Sequence, residues 1–358
     1  MSALQILVRA PNWLGDLVMS TPGFRALRAA YPEARIALQL REPLMPLVDG
    51  APWFDEVIPL RSYHAGAGAL WREGRAMRAA GRFDLGVCIP DSWSALLLMR
   101  VAGVREIVGY ARAGRGALLH RCPLPSGQAG PQGFVARERH VLGLMEAAGA
   151  PARGSELELF TTPEEEARAV SALVAGGIDP GSGCVALAPG ASYGSSKQWP
   201  AESFARVGDE VLARGLQVVV LGAPGEESLA TRVTAAMAGP AAMLAGQLDS
   251  GALKAVMRRM RVLVCNDAGA RHVAVAFGVP SVVMMGPTSL AKTDWNLERV
   301  RVVETDVECR PCYARECPID HRCMTRLSPE QVTREMDHWL SGDLVAGGPR
   351  REAENAGT

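Results

Sequence analysis

The chain has 358 residues, of which 48% are apolar and 21% are charged, an ordinary composition for a soluble globular protein. At about 150 residues per domain, this length predicts two domains. No apolar run reaches the ~18 residues of a membrane span, and no basic start followed by a long apolar stretch marks a secretory signal, so we expect a cytoplasmic protein. The net charge is zero, but residues 1–160 hold 18 arginines and no lysine against 14 acidic residues, an excess compatible with an anionic ligand or membrane surface meeting this half.

Short apolar runs alternate with amphipathic stretches in the first half of the chain. We predict strands at Leu4–Val8, Arg35–Leu40, Val57–Pro59, Leu85–Ile89 and Ile107–Gly109. Helices are predicted at Ser20–Ala30, with Pro22 in its first turn, and at Trp93–Ala102. This alternation predicts an α/β fold, in which a parallel sheet has helices on both faces.

The second half restarts the same pattern. Strands are predicted at Cys184–Ala188, Gln217–Leu221, Val262–Cys265 and Ser281–Met285, and helices at Glu164–Ala175 and from Ser328 to about Leu340. The predicted organisation is therefore one domain over residues 1–160 and a second over residues 161–340. The Gly-rich, charged tail at 341–358 is expected to be disordered.

Three loops, each directly after a predicted strand, carry the polar groups of greatest interest. They are Arg9–Asp16, Pro189–Lys197 and Asn266–His272. Glycine lets backbone amides approach an anion closely, and a helix that starts at the end of the loop adds its positive dipole. One domain able to hold a sugar diphosphate and one offering a lone carboxylate together suggest group transfer across a cleft.

The order and spacing of these motifs resemble the ADP-heptose:lipopolysaccharide heptosyltransferases of glycosyltransferase family 9, most of all the heptosyltransferase II type. The matching segments are Gly15-Asp16 with Thr21-Pro22, then Pro189–Gly194 with Lys197–Pro200, and Asn266–His272 followed by Gly286–Thr288. The resemblance runs from about residue 4 to 340. It implies a glycosyltransferase B fold, in which two Rossmann-like domains face a cleft, with the acceptor bound mainly by the first domain and ADP-heptose mainly by the second.

The same resemblance implies the reaction. L-glycero-D-manno-heptose would pass with inversion from ADP-heptose to the inner-core heptose of lipopolysaccharide, with no cofactor and no catalytic metal. Two positions depart from the family's pattern, since Ala268 stands where a hydroxyl residue is usual and Arg271 where an apolar residue is usual. Backbone amides are then left to bind phosphate in the third loop without a side-chain hydroxyl.

Asp16 lies at the strand-to-helix turn of the first loop. From the residues alone, its carboxylate is either a helix cap, worth about 1 kcal/mol, or a general base. Inverting glycosyl transfer needs a base to take the acceptor's hydroxyl proton during attack on the anomeric carbon. The resemblance places the catalytic base at Asp16 and puts Asn12, Trp13 and Gly15 on the acceptor side.

Lys197 is one of only three lysines in a chain with 35 arginines. A cation at a helix start opposes the helix dipole, so its placement indicates an anion nearby, although a surface lysine is the alternative. A compact ammonium fits between two phosphates and offsets charge on the departing ADP, so we expect Lys197 to be catalytic as well as donor-binding. The residues expected to complete the phosphate cradle with local amides are Gly190, Ser192, Ser195 and Ser196.

The third loop is predicted to meet the phosphates and heptose of the donor, as the resemblance implies, through Asp267, Ala268, Gly269 and His272. From the residues alone, an Asp cap beside a half-buried His is equally consistent, and a protonated His272 would add positive charge. Glu226 follows a predicted strand and is expected to accept hydrogen bonds from ribose hydroxyls, with a solvated loop carboxylate as the alternative.

Four cysteines lie close together near the C-terminus: Cys309, Cys312, Cys317 and Cys323. Their spacing is typical of a metal site on paper but lacks two clean CxxC pairs. Reduced thiols, which cytoplasmic proteins normally keep, or an incidental disulfide are the favoured interpretation, and a structural metal is the alternative.

Three other functions compete with the leading one. A sibling transferase would use a Kdo residue or an outer heptose as acceptor. A non-catalytic nucleotide-sugar-binding protein would fit Ala268, but Asp16 and Lys197 speak against it. A dinucleotide oxidoreductase is disfavoured because no G-x-G-x-x-G follows the first strand. We expect an anionic lipopolysaccharide core precursor and loose contact with the cytoplasmic face of the inner membrane as partners, and no nucleic acid.

Overall fold

Two parallel sheets make up the framework of the computed structural model, which describes residues 3–63, 65–123 and 135–341. The first sheet has the order β3-β2-β1-β4-β5 and consists of β1 (Gln5–Arg9), β2 (Arg35–Arg41), β3 (Glu56–Leu60), β4 (Leu85–Cys88) and β5 (Glu106–Val108). All neighbouring strands run parallel, with Leu7 opposite Ala37 on one side and Gly86 on the other. The central strands are buried on both faces, which explains their nearly unbroken apolar sequences.

Helices connect these strands and cover the sheet. They are α1 (Leu14–Val18), α2 (Thr21–Ala30), α3 (Gly66–Ala80), α4 (Trp93–Val101) and α5 (Arg137–Ala147), with 3-10 turns at Glu42–Val48 and Arg112–Leu118. Helix α2 begins at Thr21 with Pro22 in its first turn, as predicted. Helix α5 packs on α2 and so adds to the first sheet's core.

The second sheet has six strands in the order β11-β10-β9-β6-β7-β8. They are β6 (Cys184–Ala188), β7 (Gln217–Val220), β8 (Ala242–Met243), β9 (Val262–Asn266), β10 (Ser281–Met284) and β11 (Val300–Val303). Its helices are α6 (Pro163–Ala175), α7 (Ala201–Ala213), α8 (Glu227–Ala236), α9 (Ser250–Arg258), α10 (Gly269–Ala276), α11 (Arg322–Thr325) and α12 (Pro329–Ser341), with 3-10 turns at Ser195–Lys197 and Leu290–Lys292. A capping box formed by Thr162 and Glu165 starts α6.

The predicted strands are confirmed to within about two residues at each end, and the α/β class with them. Several elements were not predicted, among them α1, α3, α5 and the two outer strands β8 and β11. The proposed division at residue 160 stays a prediction, and the tail lies outside the described residues apart from Ser341, the last residue of α12. Among the helices of the described ranges, none is long and apolar enough to cross a membrane.

A buried lysine joins the two halves of the structure. Lys254 of α9 is fully buried, and its Nζ donates to the carbonyl oxygens of Pro46 at 2.8 Å and Asp49 at 2.9 Å in the first half. Its counter-charge is Glu165 at 3.1 Å, also buried. Burial lowers the pKa of Lys254, and the carboxylate of Glu165 opposes that shift. The sequence singled out Lys254 only as one of three lysines.

Replacing this lysine is expected to destabilise the protein strongly. Lys254→Met should lower the free energy of unfolding by about 3–5 kcal/mol, because Glu165 and two carbonyl groups would stay buried without their cation. Urea unfolding followed by circular dichroism measures the change. Arg206→Met is a suitable control, since it removes an exposed pair with Glu330, and exposed pairs contribute little to stability. Similar losses in both variants would contradict the anchoring role of Lys254.

Candidate active site

A cavity of about 620 Å³ opens where the carboxyl ends of the two sheets face each other. Nine of the residues predicted from the sequence line it: Trp13, Gly15, Asp16, Ser192, Lys197, Asp267, Ala268, Gly269 and His272. They come from three loops that are far apart in sequence, after β1, β6 and β9. Parallel sheets gather such loops at one edge, which is where ligands of open α/β sheets usually bind.

Asp16 belongs to the first turn of α1 and is not its cap. The N-cap residue is Trp13, and no side chain caps this helix. The carboxylate of Asp16 is one-third exposed, and its Oδ1 lies 3.8 Å from Nε of Arg137. The carboxylate of Asp16 therefore does not cap this helix. It lies beside the cavity, where it can reach a bound hydroxyl.

Lys197 and Asp267 form an ion pair across the cavity floor. Nζ of Lys197 lies 2.6 Å from Oδ2 of Asp267 and donates to the Asp267 carbonyl at 3.0 Å. The hydroxyl of Thr288 donates to the same carboxylate oxygen at 2.8 Å. Burial on its own would raise the pKa of Asp267, but the ammonium of Lys197 and these hydrogen bonds lower it. The ammonium is thus held in place before any ligand arrives.

Helix α10 starts at the same place without a side-chain cap. Ala268 is its N-cap residue and offers no hydroxyl, so no side chain of the helix's own satisfies its first amides. The two glycines at this point allow close approach of the first half, because a Cβ on Gly15 would lie 3.2 Å from Cα of Gly269 and 3.1 Å from the His272 ring. Helix α1, which carries Asp16, therefore packs directly against the N-terminus of α10.

The surroundings of His272 favour its neutral imidazole over the protonated form that the sequence left open. Burial is the main cause that lowers the pKa of His272 to about 3, and the nearby guanidinium of Arg271 lowers it further. The carboxylate of Asp267 acts in the opposite direction. The ring can accept or donate one hydrogen bond, but it adds no positive charge to the site. Charge stabilisation at the cavity must come from the lysines and arginines.

The buried state of His272 predicts a pH-dependent stability. The unfolded imidazole takes a proton below about pH 6.5, whereas the folded one stays neutral down to about 3, so stability is lost as the pH falls through this window. His272→Gln should reduce the loss of unfolding free energy between about pH 7 and pH 5 by about 2 kcal/mol. Urea titrations at both pH values measure the difference. Equal losses in the two proteins would show that folding does not lower the pKa of His272.

Arg271 has a structural role at the position where the family usually has an apolar residue. Its guanidinium is buried and donates to the carbonyl of Thr293 at 2.7 Å and to its hydroxyl at 3.1 Å. Across the interface lies Glu138 of α5, whose pKa is raised to about 7 mainly by burial, with Arg271 opposing the shift. Arg271 thus belongs to the packing between the two halves and does not line the cavity.

Five predicted residues do not line the cavity: Asn12, Gly190, Ser195, Ser196 and Glu226. Ser196 is buried, and its hydroxyl donates to the carbonyl of Ala314 at 2.6 Å. This bond holds the second loop, Pro189–Lys197, in place from the side away from the cavity. Glu226 accepts from the amide of Ala223 at 2.8 Å and lies against Gly190, next to the loop. Their predicted contacts with phosphate or ribose stay predictions.

Six cavity residues with charge or proton-transfer capacity were missed by the sequence reasoning: Asp91, Arg112, Arg137, His140, Lys292 and Arg315. Asp91 follows β4 just as Asp16 follows β1, and this shared position was a signal in the sequence. Lys292 and Arg315 come from the second half, where Arg315 lies over the ring of Tyr193 at 5.6 Å. The cavity therefore carries more positive charge than was predicted.

The four C-terminal cysteines surround a separate small cavity of about 60 Å³. All four are free thiols, and the pKa of Cys323 is raised by burial and then by the other three. Within the described ranges, no group of three or more His, Cys, Asp or Glu side chains is arranged to hold a metal. The segment that carries these cysteines also contacts the second loop, Pro189–Lys197, because the amide of Ser196 donates to the carbonyl of Arg315 at 3.0 Å. Reduced thiols stay the favoured interpretation.

The two facing α/β sheets place the chain in the glycosyltransferase B class. The structure of Escherichia coli ADP-heptose lipopolysaccharide heptosyltransferase II superposes with a TM-score of 0.79 at 23% identity, covering 94% of this chain and 99% of that one. A glycosyltransferase family 9 structure from Veillonella parvula gives a TM-score of 0.83 at 21% identity, covering 95% and 99%. Residues 70–322 match glycosyltransferase family 9 (heptosyltransferase), and the chain belongs to this family.

Curated relatives agree with this membership. Lipopolysaccharide heptosyltransferase 2 of Salmonella typhimurium is 26% identical over 355 residues, which is 96% of this chain and all of the relative. Matches also include a heptosyltransferase 3 from Escherichia coli and a heptosyltransferase 1 from Pseudomonas aeruginosa. The protein is therefore a family 9 enzyme, and these comparisons leave its acceptor open.

Proposed function

We propose that the protein is an inverting heptosyltransferase that moves L-glycero-D-manno-heptose from ADP-heptose to the inner-core heptose of lipopolysaccharide. The observation that carries the proposal is one cavity with Asp16 on the first half and the Lys197–Asp267 pair beside the uncapped N-terminus of α10 on the second. A base on one wall and an anion site on the other are what transfer from a nucleotide sugar to a hydroxyl requires.

The donor side of the cavity is rich in cationic side chains. A diphosphate placed at the N-terminus of α10 would meet amides that no side chain caps and the positive end of the helix dipole. Lys197 lies within reach of the same place, and Lys292 and Arg315 line the cavity nearby. These protein cations supply the counter-charge that the departing ADP needs, so we expect no catalytic metal, and EDTA should leave turnover unchanged.

The acceptor side of the cavity carries the candidate base, Asp16. Asp16 follows β1 of the first sheet, and the exposed ring of Trp13 borders the same cavity. A sugar packed on this indole would bring a hydroxyl to the carboxylate, which takes its proton during attack. The name heptosyltransferase 2 on the relatives with full coverage favours a heptose as the residue that is attacked.

The experiment is a transfer assay with defined acceptors. Purified protein is incubated with ADP-heptose and a panel of cores truncated after Kdo, after the first heptose or after the outer heptose, and the products are identified by mass spectrometry. We expect one added heptose on the core that ends in the first heptose. Transfer to the Kdo core or the outer-heptose core would favour a sibling transferase. ADP-heptose binding without any transfer would indicate a binding protein.

Contact with a membrane is a further part of the proposal. Helix α3 exposes Trp71 together with Arg72 and Arg75, a combination suited to the interface of an anionic bilayer. Each arginine near such a surface contributes about 1 kcal/mol, and salt screens this attraction. We therefore expect flotation with anionic liposomes at low salt and release as the salt concentration rises.

A matched pair of variants tests which surface makes this contact. Arg72→Gln/Arg75→Gln should weaken liposome binding by roughly 30-fold, since two surface charges are lost. Arg326→Gln/Arg334→Gln removes two exposed arginines of the second half and should leave binding unchanged. Absence of flotation at low salt, or a loss confined to the second pair, would contradict membrane contact through α3.

A further inference from the structure

Two buried side chains of opposite charge face each other across the interface between the two halves. Glu138 lies in the first turn of α5, and Arg271 lies in the first turn of α10. Each residue is about 1% exposed. Arg271 lowers the pKa of Glu138, and Glu138 raises that of Arg271, so each acts electrostatically on the other. Neither residue lines the cavity, and the transfer chemistry alone does not account for them.

One polar atom of each residue is left without a partner. Oε2 of Glu138 and Nε of Arg271 are buried, and neither has a hydrogen bond to any of the described residues. Oε1 of Glu138 accepts only a long bond, from the side-chain amide of Asn296 at 3.4 Å. Burying a donor or an acceptor without a partner is destabilising, and such atoms are rare in folded proteins. An acceptor and a donor on opposite sides of one interface can satisfy each other.

A loop of the second half joins this interface to the cavity. It runs from Thr288 to Asn296, and both Thr288 and Thr293 line the cavity. Arg271 donates to the hydroxyl and to the carbonyl oxygen of Thr293, and Asn296 donates to Glu138. A ligand that contacts this loop therefore acts on the surroundings of both charged residues.

We propose that binding of ADP-heptose draws Glu138 and Arg271 together into an ion pair, in which Nε of Arg271 donates to Oε2 of Glu138, and that this pair fixes the position of Asp16 relative to the donor. Both are positioning residues, since they act through the interface and line no part of the cavity. The inference rests on the proposed function, because it takes ADP-heptose as the donor and Asp16 as the base.

The neighbours of the two residues connect the pair to Asp16. Glu138 follows Arg137, whose Nε lies 3.8 Å from Oδ1 of Asp16. Arg271 precedes His272, whose ring packs against the first loop. Bringing the two charges into contact therefore brings the start of α5 and the start of α10 together on either side of the base.

Protonation of Glu138 gives the pair a measurable signature. Burial is the main cause that raises the pKa of this carboxyl to about 7, while Arg271 lowers it and Asp294 of the second half raises it. Helix α2 also packs against α5, and its two arginines, Arg25 and Arg28, are already paired with acidic residues. The ion pair needs the carboxylate, so its formation lowers the pKa of Glu138 and releases a proton when ADP-heptose binds.

Calorimetric titration with ADP-heptose, without an acceptor, tests the proposal between pH 6 and pH 8. Above about pH 7 the carboxylate is already formed and the affinity is highest, whereas below it binding must first remove a proton. We expect the affinity of the wild-type protein to fall by about 5-fold to 10-fold from pH 8 to pH 6. Titrations in buffers of different ionisation enthalpy should show proton release near pH 7. The diphosphate of the donor stays ionised throughout, so the proton comes from the protein.

Variants assign this proton to Glu138. Glu138→Gln keeps the shape of the neutral acid and should bind ADP-heptose about 10-fold to 100-fold more weakly than wild type at pH 8, the range of a hydrogen bond between charged groups. Its affinity should be the same at pH 6, and Arg271→Met should lose the same pH dependence. Glu146→Gln, which changes an exposed glutamate of the same helix, should behave as wild type. Weakening of Glu138→Gln by one factor at both pH values would show a merely structural role and overturn the proposal.

Two further readouts test the geometry. At saturating donor, kcat of Glu138→Gln should fall by about 10-fold, since misplacing a catalytic group by about 1 Å can cost up to about 100-fold. Unchanged kcat would overturn the positioning of Asp16. A crystal structure with ADP-heptose bound should place Nε of Arg271 about 3 Å from Oε2 of Glu138. A water molecule between these two atoms in that complex would overturn the ion pair.

The binding measurement also separates this inference from the proposed function. If no acceptor receives heptose, but ADP-heptose binding releases a proton in wild type and not in Glu138→Gln, the pair stands and the proposed transfer is wrong. If heptose is transferred but the donor affinity is independent of pH, the transfer stands and the pair is overturned. Absence of ADP-heptose binding would overturn both.

Discussion

Asp16→Asn is expected to lower kcat by at least about 100-fold, the usual scale for losing a general base. The carboxylate is one-third exposed, borders the cavity and caps no helix, so its removal should leave the fold intact. An amide of the same shape keeps the packing of α1 against α10 but cannot take a proton. Steady-state turnover of ADP-heptose measures the loss of kcat, and ADP affinity by calorimetry checks that the fold is intact.

The control for this experiment is Asp306→Asn, which changes an exposed carboxylate away from the cavity and should leave turnover unaltered. Near-normal turnover of Asp16→Asn would remove Asp16 from the role of base. Attention would then turn to Asp91, the other carboxylate on the first-half wall, and Asp91→Asn in the Asp16→Asn background would show whether it accepts the proton instead.

The sequence predicted the site well where chain order and geometry coincide. Asp16, Lys197 and Asp267 each follow a buried strand, and the carboxyl ends of parallel strands share one edge. Apolar runs are strong signals for such strands, so β1, β6 and β9 were found, and the three loops with them. The resemblance to the heptosyltransferases then supplied roles that spacing alone left open.

The parts that were missed depend on contacts between distant segments. The bonds from Arg115 to the carbonyl of Ser92 and the carboxylate of Asp91, and the bridge from Lys254 to the first half, join residues that lie 23 or more positions apart. The pKa of His272 is lowered mainly by burial next to Gly15, a contact that no local sequence pattern contains. For Ser196 the sequence suggested a phosphate contact, which stays a prediction, and did not show that its hydroxyl donates to the carbonyl of Ala314.

Lys197→Ala is expected to weaken ADP binding and to lower kcat by about 100-fold to 1000-fold, the scale for removing one preorganised charge-stabilising group. The ammonium lies 2.6 Å from Asp267, so the pair is close to neutral before the donor binds. Negative charge grows on the leaving ADP in the transition state, and the interaction with Lys197 strengthens as it does. The effect should therefore appear in kcat as well as in the affinity for ADP.

A double variant tests the role of the ion pair between Lys197 and Asp267. In Lys197→Ala the buried carboxylate would face the diphosphate without its counter-ion, so part of the loss is repulsion between like charges. Adding Asp267→Asn should then recover about 10-fold of the ADP affinity, whereas Asp267→Asn alone should have a smaller effect than Lys197→Ala. Calorimetry with ADP and single-turnover kinetics distinguish the cases. If Lys197→Ala bound ADP normally and turned over normally, the leaving-group charge would have to be met by Lys292 and Arg315 on the same wall of the cavity.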